Sequence, residues 1–379
     1  MDTEQKLNIL ADSSKFDLAC ACKYQDEPGR TRGPQGRWIY PAALPSGRKV
    51  FLLKTLQSNA CVNDCSYCPF NSRQDQPRCT IAPEDLAKTF MQLLEANLVS
   101  GLFLSSGVCG SPDAAMSRLL ATVEILRRHH RFRGFVHLKI IPGAGPAAIE
   151  QAVRLATRVS VNIESPTAAH LAKLSQRKRF HEDIISTIDT INRLRQQIKR
   201  TCKQTTQFVV GAAGETDRDI VRATDRLYEK FDMERVYFSA YQDYHAAPPP
   251  PRQTSLFTDL PLPPARPETS STFIREHRLY QVDFLLRKYR FGREDILFDE
   301  QGNLSLTEDP KLIWAKQHPE FFPVNINRAD RWQLLRVPGI GPTGAKRILQ
   351  ARREGRIRNP QDLKAFQVRT AAAQSYITY

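Results

Sequence analysis

Between residues 49 and 241, apolar runs alternate with segments of helical periodicity. Each short apolar run is bounded by turn residues, a pattern typical of buried parallel strands. Strands joined by helical crossovers form an α/β sheet or barrel that binds ligands at its carboxyl ends. The pattern predicts strands at 50–56, 101–104, 135–141, 159–163, 205–210 and 235–240, and helices at 83–97, 113–130, 146–156, 181–200 and 216–231. Six units predict a partial (β/α)6 TIM-like barrel rather than a complete eightfold one.

The flanking segments have a different composition. Residues 1–48 are rich in Gly and Pro and predict an irregular extension over the main domain. Residues 246–267 hold eight prolines, which predict a loop or semi-rigid linker, and a helix is expected at 272–289. Residues 323–379 carry 11 Lys and Arg against 3 Asp and Glu, a local charge of +8, and predict a small all-α domain. The predicted divisions are therefore 1–48, 49–245, 246–322 and 323–379.

Composition narrows the class of protein. The chain has 379 residues, 55 of them basic and 40 acidic, for a net charge of +15. No segment approaches the ~18–20 uninterrupted apolar residues of a membrane span. The first 30 residues fit neither a signal nor a transit peptide, so we expect a cytoplasmic protein without a membrane partner. Clustered cysteines in such a chain favour metal or redox chemistry over disulfides.

Three of the eight cysteines, Cys61, Cys65 and Cys68, follow the first predicted strand directly. Three thiolates on one tight loop can hold three irons of a four-iron cluster and leave the fourth iron open to a small molecule. The alternative is a structural zinc site completed by Cys79, although zinc ribbons usually pair two C-x-x-C motifs. Cys20 and Cys22 could join an auxiliary metal site, and Cys109 is either a buried thiol or a hydrogen-atom donor.

This cysteine spacing, with Tyr67 before the last cysteine, resembles the radical S-adenosylmethionine (SAM) superfamily. Further segments at successive strand ends agree with the resemblance. It implies that Ser105, Ser106 and Gly107 receive the methionine amino group, although the acidic residue of the common Gly-Gly-Glu form is absent. It also implies ribose contacts for Asn162 and Glu164, and a turn beside the adenine at Gly211 and Gly214.

The resemblance implies a [4Fe–4S] cluster and SAM as cofactors. It further implies a 5′-deoxyadenosyl radical that takes a hydrogen atom from the substrate, and an electron donor such as flavodoxin or ferredoxin. No catalytic residue for the substrate step is identified. His137 and Lys139 share one face of the third predicted strand, which is either the barrel interior or a solvated edge. Tyr241, Tyr244 and His245 at the open end pack against the rim or stack on a base.

The basic tail resembles the helix-hairpin-helix module of DNA repair and recombination proteins. Asn327 is expected to cap its first helix. Gly339 and Gly341 lack a Cβ, so backbone N–H groups can approach a phosphate at the start of the next helix. Gly344, Lys346, Arg347, Arg352 and Arg353 belong to the same predicted site, whose contacts read the backbone rather than the bases. The alternative is a packing or protein-docking module.

A second copy of this motif lies 28 residues further on. Gln367 and Arg369 replace the two hairpin glycines, so the second hairpin is predicted to be structural. Both halves of the chain together resemble the DNA modification/repair radical SAM proteins, often encoded beside a uracil-DNA-glycosylase-like protein. The resemblance implies action on duplex or single-stranded DNA. The alternatives are an RNA-modifying radical SAM enzyme and a non-catalytic iron–sulfur DNA-binding protein.

Overall fold

A computed structural model describes residues 1–13, 39–43, 49–198, 202–242 and 271–379. The predicted proline-rich linker and the residues Cys20, Cys22, Tyr244 and His245 lie outside these ranges. The chain divides into two compact units. The barrel unit comprises Met1–Glu215 and Leu227–Phe273, and the C-terminal unit comprises Thr216–Arg226 and Ile274–Tyr379.

The barrel unit is built on one seven-stranded sheet whose strands follow each other in chain order. The last six strands are parallel, and the first pairs antiparallel with the second. This curled, open half-barrel confirms the predicted partial (β/α)6 fold and adds one strand to it. The strands are β1 Ile39–Ala43, β2 Lys49–Leu56, β3 Gly101–Ser105, β4 Phe135–Lys139, β5 Arg158–Ser160, β6 Lys203–Val210 and β7 Arg235–Ala240.

Helices follow the strands as crossover connections. Three of them, Pro83–Glu95, Pro112–Arg128 and Pro146–Leu155, begin with a proline, whose fixed φ suits the first helical position. A π-helical turn, Phe180–Ile185, replaces the start of the regular helix predicted from residue 181. The helices up to this point of the chain are α1 Thr3–Ser13, α2 Pro83–Glu95, α3 Pro112–Arg128, α4 Pro146–Leu155, α5 Ala168–Leu174, α6 Ser186–Ile198 and α7 Asp217–Phe231.

The N-terminal segment is more regular than predicted. The expectation that residues 1–48 are irregular is wrong for α1 and β1. Leu7, Leu10 and Ala11 share one face of α1 and are buried, which is the spacing of an amphipathic helix. The prolines and glycines around this segment hid that short pattern.

The register of the parallel strands places side chains of neighbouring strands in rows. Phe103, His137 and Arg158 are partners in one row. His137 is buried, its Nε2 lies 2.9 Å from the Ser160 hydroxyl, and its ring meets Phe103 edge-on at 4.3 Å. Burial holds the pKa of His137 well below its ordinary value, so the imidazole is neutral. His137 is therefore an interior residue and not part of a solvated edge.

The C-terminal unit packs short helices around its own apolar core. Its elements are α8 Ser271–Lys288, α9 Pro310–Gln317, β8 Val324–Asn325, α10 Arg331–Arg336, α11 Pro342–Glu354, α12 Pro360–Ala365, α13 Thr370–Ala373 and β9 Ile377–Thr378. The prediction of an all-α domain is wrong in one respect, because β8 and β9 form a two-residue parallel pair. The predicted cap is also wrong: Asp330 caps α10, whereas Asn327 hydrogen-bonds both backbone groups of Ile357.

The two hairpins of this unit pack against each other. The Arg369 N–H donates to the Gly339 carbonyl at 3.1 Å. Gly339 has φ +83° and Gln367, at the equivalent position of the repeat, has φ +62°. A Cβ on Gly339 would lie 2.5 Å from the Arg369 carbonyl oxygen. Gly339 is therefore required by the left-handed turn and by the close approach of the second hairpin.

Candidate active site and nucleic-acid interface

A cavity opens at the carboxyl ends of the parallel strands. The residues predicted to bind the cluster or SAM that line it are Cys61, Cys65, Cys68, Ser105, Ser106, Gly107, Asn162 and Glu164. The fold thus gathers these eight residues from three separate segments at one edge of the sheet. Tyr67, Lys139 and Tyr241 line the same cavity. Gly211 and Gly214 do not line this cavity. They form a left-handed turn whose Gly211 and Ala213 N–H groups donate to the Glu215 carboxylate.

The cysteine loop is fixed against the end of β3. The Gly107 N–H donates to the Ser58 carbonyl at 2.7 Å, and the Val62 N–H donates to the Val108 carbonyl at 2.9 Å. The Val108 N–H points at the Cys61 sulfur at 3.4 Å. A Cβ on Gly107 would lie 2.4 Å from the Ala60 carbonyl oxygen, so only glycine allows this approach.

Arg78 organises the far side of the same loop. Its guanidinium donates to the carbonyls of Asn59, Phe70, Asn71 and Gln74 at 2.7, 2.8, 2.9 and 2.8 Å. One side chain therefore satisfies four carbonyls of an irregular segment that has no ladder to satisfy them. Arg78 could not be recognised from the sequence, because an arginine in a loop carries no periodic signal.

The donor set of the loop fits an iron–sulfur cluster. Burial raises the pKa of Cys65 and raises that of Cys68 to about 12, so each thiol stays protonated at neutral pH without a cation. A metal centre supplies the positive charge that makes such buried thiolates stable. Among the described residues, no three Asp, Glu, His or Cys side chains converge on a single metal ion. A four-iron cluster differs from such a site, because each cysteine binds its own iron.

The other described cysteines do not line this cavity. Cys79 is buried, and its sulfur lies 3.8 Å from the Lys6 carbonyl of α1. Neither Cys79 nor Cys109 lines the cavity. Of the described cysteines, three line the cavity, and the geometry gives no support to a zinc site that Cys79 would complete.

A buried ion pair forms the wall of the cavity beside the cysteines. The Lys178 ammonium donates to Glu164 Oε1 at 3.0 Å and to the Tyr67 hydroxyl at 3.1 Å. The Lys178 and Glu164 side chains are only 10% and 5% exposed. Burial alone would lower the pKa of Lys178, but the neighbouring Cys65 and Glu164 raise it, so the lysine is charged. Glu164 was predicted from the sequence as a site residue, and Lys178 was not.

Hydrogen bonds to the cysteine loop place Lys178 in this wall. Asp64, inside the loop, accepts from the Ser175 hydroxyl at 2.5 Å and from the Gln176 N–H at 3.2 Å. The Ser66 N–H donates to the Leu174 carbonyl at 2.8 Å. Although burial opposes the charged form, these bonds lower the pKa of Asp64. The segment after α5 is therefore held against the loop.

Glu164 occupies an uncommon backbone conformation. Its φ is +66°, a value that non-glycine residues rarely adopt. Backbone hydrogen bonds to β6 hold it there, from the Glu164 N–H to Gln207 at 3.0 Å and from Val209 to Glu164 at 2.8 Å. Asn162 Nδ2 lies 3.4 Å from the second Glu164 oxygen. Left-handed non-glycine residues cluster at binding sites, where the surroundings fix them.

In the C-terminal unit, the first hairpin leads into α11. Gly341 is the N-cap of α11 and has no side chain, so it cannot satisfy the first N–H groups of the helix. Lys346 and Arg347 are exposed on the first turns of α11. Gly344 is buried, because a Cβ there would lie 3.1 Å from Val368 of the second hairpin.

Arg352 differs from its neighbours on α11. It donates to the carbonyls of Ile326 and Ala329 at 3.2 and 2.6 Å, so this side chain stabilises the fold of the C-terminal unit. Arg353 is exposed. Among the predicted basic residues, Lys346, Arg347 and Arg353 are thus the ones whose charge faces solvent.

Two protein families match separate parts of the chain. Residues 56–227 match the radical SAM superfamily, and residues 321–370 match the helix-hairpin-helix motif. No curated protein matches. The first match covers the cysteine loop and the strands that build the cavity, and the second covers both hairpins.

Several solved structures are similar to part of the chain. The FeFe-hydrogenase maturase HydG from Carboxydothermus hydrogenoformans is 16% identical over 51% of this chain and 44% of its own, with a TM-score of 0.42. Methylornithine synthase PylB is 16% identical over 61% of this chain and 62% of its own, with a TM-score of 0.44. The radical SAM methyltransferase TsrM from Kitasatospora setae is 16% identical over 49% of this chain and 34% of its own, with a TM-score of 0.39. This chain thus spans less than half the length of HydG and TsrM.

The fold, the cavity and the family match together define the class of the barrel domain. Residues 56–227 contain a radical SAM domain. The chain also carries a helix-hairpin-helix motif. Within the described ranges, no helix is long and apolar enough to cross a membrane.

Proposed function

We propose that this protein is a radical SAM enzyme that modifies or repairs DNA. The observation that carries the proposal is the helix-hairpin-helix motif on the same chain as a radical SAM domain. Support comes from the local charge of +8 in residues 323–379 and from the glycine-capped start of α11, both of which suit a phosphate backbone.

Cys61, Cys65 and Cys68 would hold the cluster in this proposal. Ser105, Ser106, Gly107, Asn162 and Glu164 line the same cavity and would hold SAM, with Gly211 and Gly214 beside the adenine. When bound, these cofactors supply a 5′-deoxyadenosyl radical that removes a hydrogen atom from the substrate. The chain's own residues orient the ligands and exclude water: Lys178 and Glu164 close one wall, and Tyr67 covers the loop.

The C-terminal unit would bind the nucleic acid through its backbone. Contacts from α11 and its hairpin read phosphates, so they position DNA without selecting a sequence. Because the cavity lies at the ends of buried strands, a base must leave the stack to reach it. An electron donor such as flavodoxin or ferredoxin, and a uracil-DNA-glycosylase-like protein, are the partners we propose. We also propose a cytoplasmic location and the four divisions predicted from the sequence.

The test compares nucleic acids as activators of SAM cleavage. The anaerobically reconstituted protein is mixed with SAM and a reductant, and 5′-deoxyadenosine is measured with duplex DNA, single-stranded DNA or tRNA. The proposal predicts stimulation by DNA, and a salt-dependent affinity that is higher for DNA than for tRNA. A preference for tRNA would favour the RNA-modifying alternative, and indifference to every nucleic acid would contradict the proposal.

A charge reversal provides the matched control. Lys346→Glu, on α11, is expected to weaken DNA binding strongly and to reduce the salt dependence, because it removes a backbone contact. Lys88→Glu makes the same charge change on an exposed position of α2 in the barrel unit and is expected to leave binding nearly unchanged. Equal effects of the two variants would show that only net charge matters.

A further inference from the structure

In the C-terminal unit, a buried lysine contacts the first hairpin. Lys311 lies on α9 and is 7% exposed. Its ammonium donates to the Ile340 carbonyl at 2.6 Å and lies 4.7 Å from the centre of the Tyr289 ring. A charged lysine is rarely buried unless it is paired. This ammonium is directed at a backbone carbonyl of the hairpin, not at a carboxylate.

The bond fixes the orientation of one peptide group. The Ile340–Gly341 peptide is trans, so its carbonyl and its N–H point in opposite directions. Since the carbonyl points at Lys311, the Gly341 N–H points away from it. Among the described residues, this N–H has no hydrogen-bond acceptor. A cation on the carbonyl also polarises the peptide and makes its N–H a stronger donor.

The position of this N–H is the start of α11. Gly341 is the N-cap, and a Cβ on it would lie 3.3 Å from the Tyr289 hydroxyl. Tyr289 therefore supports the hairpin from the same side as Lys311. The outward N–H joins the first N–H groups of α11, where the helix dipole favours an anion.

We propose that Lys311 is a positioning residue for nucleic-acid binding, which holds the Ile340–Gly341 peptide so that the Gly341 N–H meets a backbone phosphate. This inference rests on the proposed function, because it requires that the hairpin binds nucleic acid. It adds a residue outside the matched helix-hairpin-helix region, 29 positions before the carbonyl that it holds.

Lys311 also makes the site sensitive to pH. Burial lowers the pKa of Lys311 to about 7. The Asp309 carboxylate opposes this shift, and the charges of Arg369 and Arg336 add to it. The groups near the ammonium are Asp309 at the cap of α9, Arg369 in the second hairpin, Arg336 at the end of α10 and Tyr289 just after α8. The lysine is cationic at pH 6 and largely neutral at pH 8, so phosphate binding weakens across that interval.

The experiment measures the affinity of the full chain for a labelled DNA duplex by fluorescence anisotropy at pH 6 and pH 8. Lys311→Met is expected to weaken binding about tenfold at pH 6, the effect of losing one charge-assisted contact. It is also expected to remove the pH dependence and to leave the salt slope nearly unchanged, because Lys311 holds a peptide group and does not itself neutralise a phosphate. Lys311→Arg keeps a cation that does not titrate, so binding stays strong and independent of pH. Lys316→Met, on the exposed face of α9, is expected to behave like the wild type.

The possible failures are distinguishable. If the wild type binds DNA and the Lys311 variants retain its affinity and pH dependence, the positioning role is wrong and the proposed function stands. If the wild type binds no nucleic acid, both are wrong. If Lys311→Met does not fold, the inference is tested on the wild type with a glycine-selective ¹⁵N spectrum. The Gly341 signal is assigned as the one that is lost in Gly341→Ala. That signal must shift between pH 6 and pH 8 and on addition of DNA, and a signal that stays fixed overturns the inference.

Discussion

Gly107 follows β3 and lies against the start of the cysteine loop, so Gly107→Ala perturbs the cluster site without replacing a cluster ligand. The added Cβ would lie 2.4 Å from the Ala60 carbonyl oxygen, and ordinary contact begins at 3.4 Å. Relief therefore needs a displacement of about 1.0 Å, the difference between these distances. The same Cβ would be 3.2 Å from the Cys61 Cβ, so the movement is transmitted to a cluster ligand.

The loop cannot move freely by this amount. The Gly107 N–H and the Val62 N–H bind the two segments together at 2.7 and 2.9 Å. Metal–ligand distances tolerate only ~0.2 Å. Overpacking of this kind costs about 1–3 kcal/mol, and a displacement near 1 Å in an active site can reduce the rate by about 100-fold. We expect Gly107→Ala to fold, to lose most of its iron and to cleave SAM about 100-fold more slowly.

The assay measures iron and sulfide per chain after anaerobic reconstitution, the electron paramagnetic resonance signal after reduction, and the yield of 5′-deoxyadenosine. Gly355→Ala is the matched control, because an added Cβ there meets nothing within 4 Å and its φ of 176° is extended backbone. A Gly107→Ala protein with a full cluster and wild-type SAM cleavage would refute the reasoning.

Three further predictions concern single residues. Lys178→Met leaves the Glu164 carboxylate buried without its partner, so chemical denaturation should show a loss of about 3–5 kcal/mol in the free energy of unfolding; an unchanged value would mean that the ion pair is not formed. Cys79→Ala should keep full iron and SAM cleavage, because Cys79 lies outside the cavity, whereas loss of the metal would support the four-cysteine zinc alternative. Because the folded pKa of Lys311 is lowered to about 7, the unfolded chain binds more protons between pH 7 and the ordinary lysine pKa of 10.5, so the free energy of unfolding should rise with pH in that window. Lys311→Met should flatten this rise, and a rise that persists in the variant would assign it to another group.

Much of the barrel could be predicted from local pattern. The strands from β2 to β7 and the helices between them carry their own apolar periodicity, so the sequence indicates them to within a few residues. Exceptions have local causes. β5 is shorter than predicted, at three residues, because the chain beyond Ser160 leaves the ladder before Glu164 bridges to Phe208. The helix expected from residue 181 starts as a π-helical turn.

The cavity was predicted in part, since strand ends are local features and their convergence follows from a parallel sheet. Lys178 was not predictable in the same way. It reaches the cavity because Ser175 binds Asp64, and those residues are 111 positions apart in the chain. Lys311 is a similar case, because its carbonyl partner is 29 positions away. A single sequence gives no signal for such a pair.

The hairpins show the same division. The 28-residue repeat and its turn residues can be recognised in the sequence, but the structural role of each glycine cannot. Gly339 was predicted, with Gly341, to let the backbone approach a phosphate, and Gly344 was predicted to belong to the same site, but the structure shows Gly339 and Gly344 against the second hairpin. Gly341 is the N-cap at the start of α11, and the Lys311 bond to the Ile340 carbonyl turns its N–H away from Lys311. Whether a glycine makes room for a ligand or for another segment of the chain depends on its tertiary contacts.

The most direct test of the central claim is the response of the cluster to SAM. The wild type and Cys65→Ala are reconstituted anaerobically with iron and sulfide, reduced, and mixed with SAM. Electron paramagnetic resonance follows the cluster, and chromatography follows 5′-deoxyadenosine. The account predicts a cluster signal that SAM perturbs and a yield of 5′-deoxyadenosine, both lost in Cys65→Ala. An intact cluster that does not respond to SAM would contradict it.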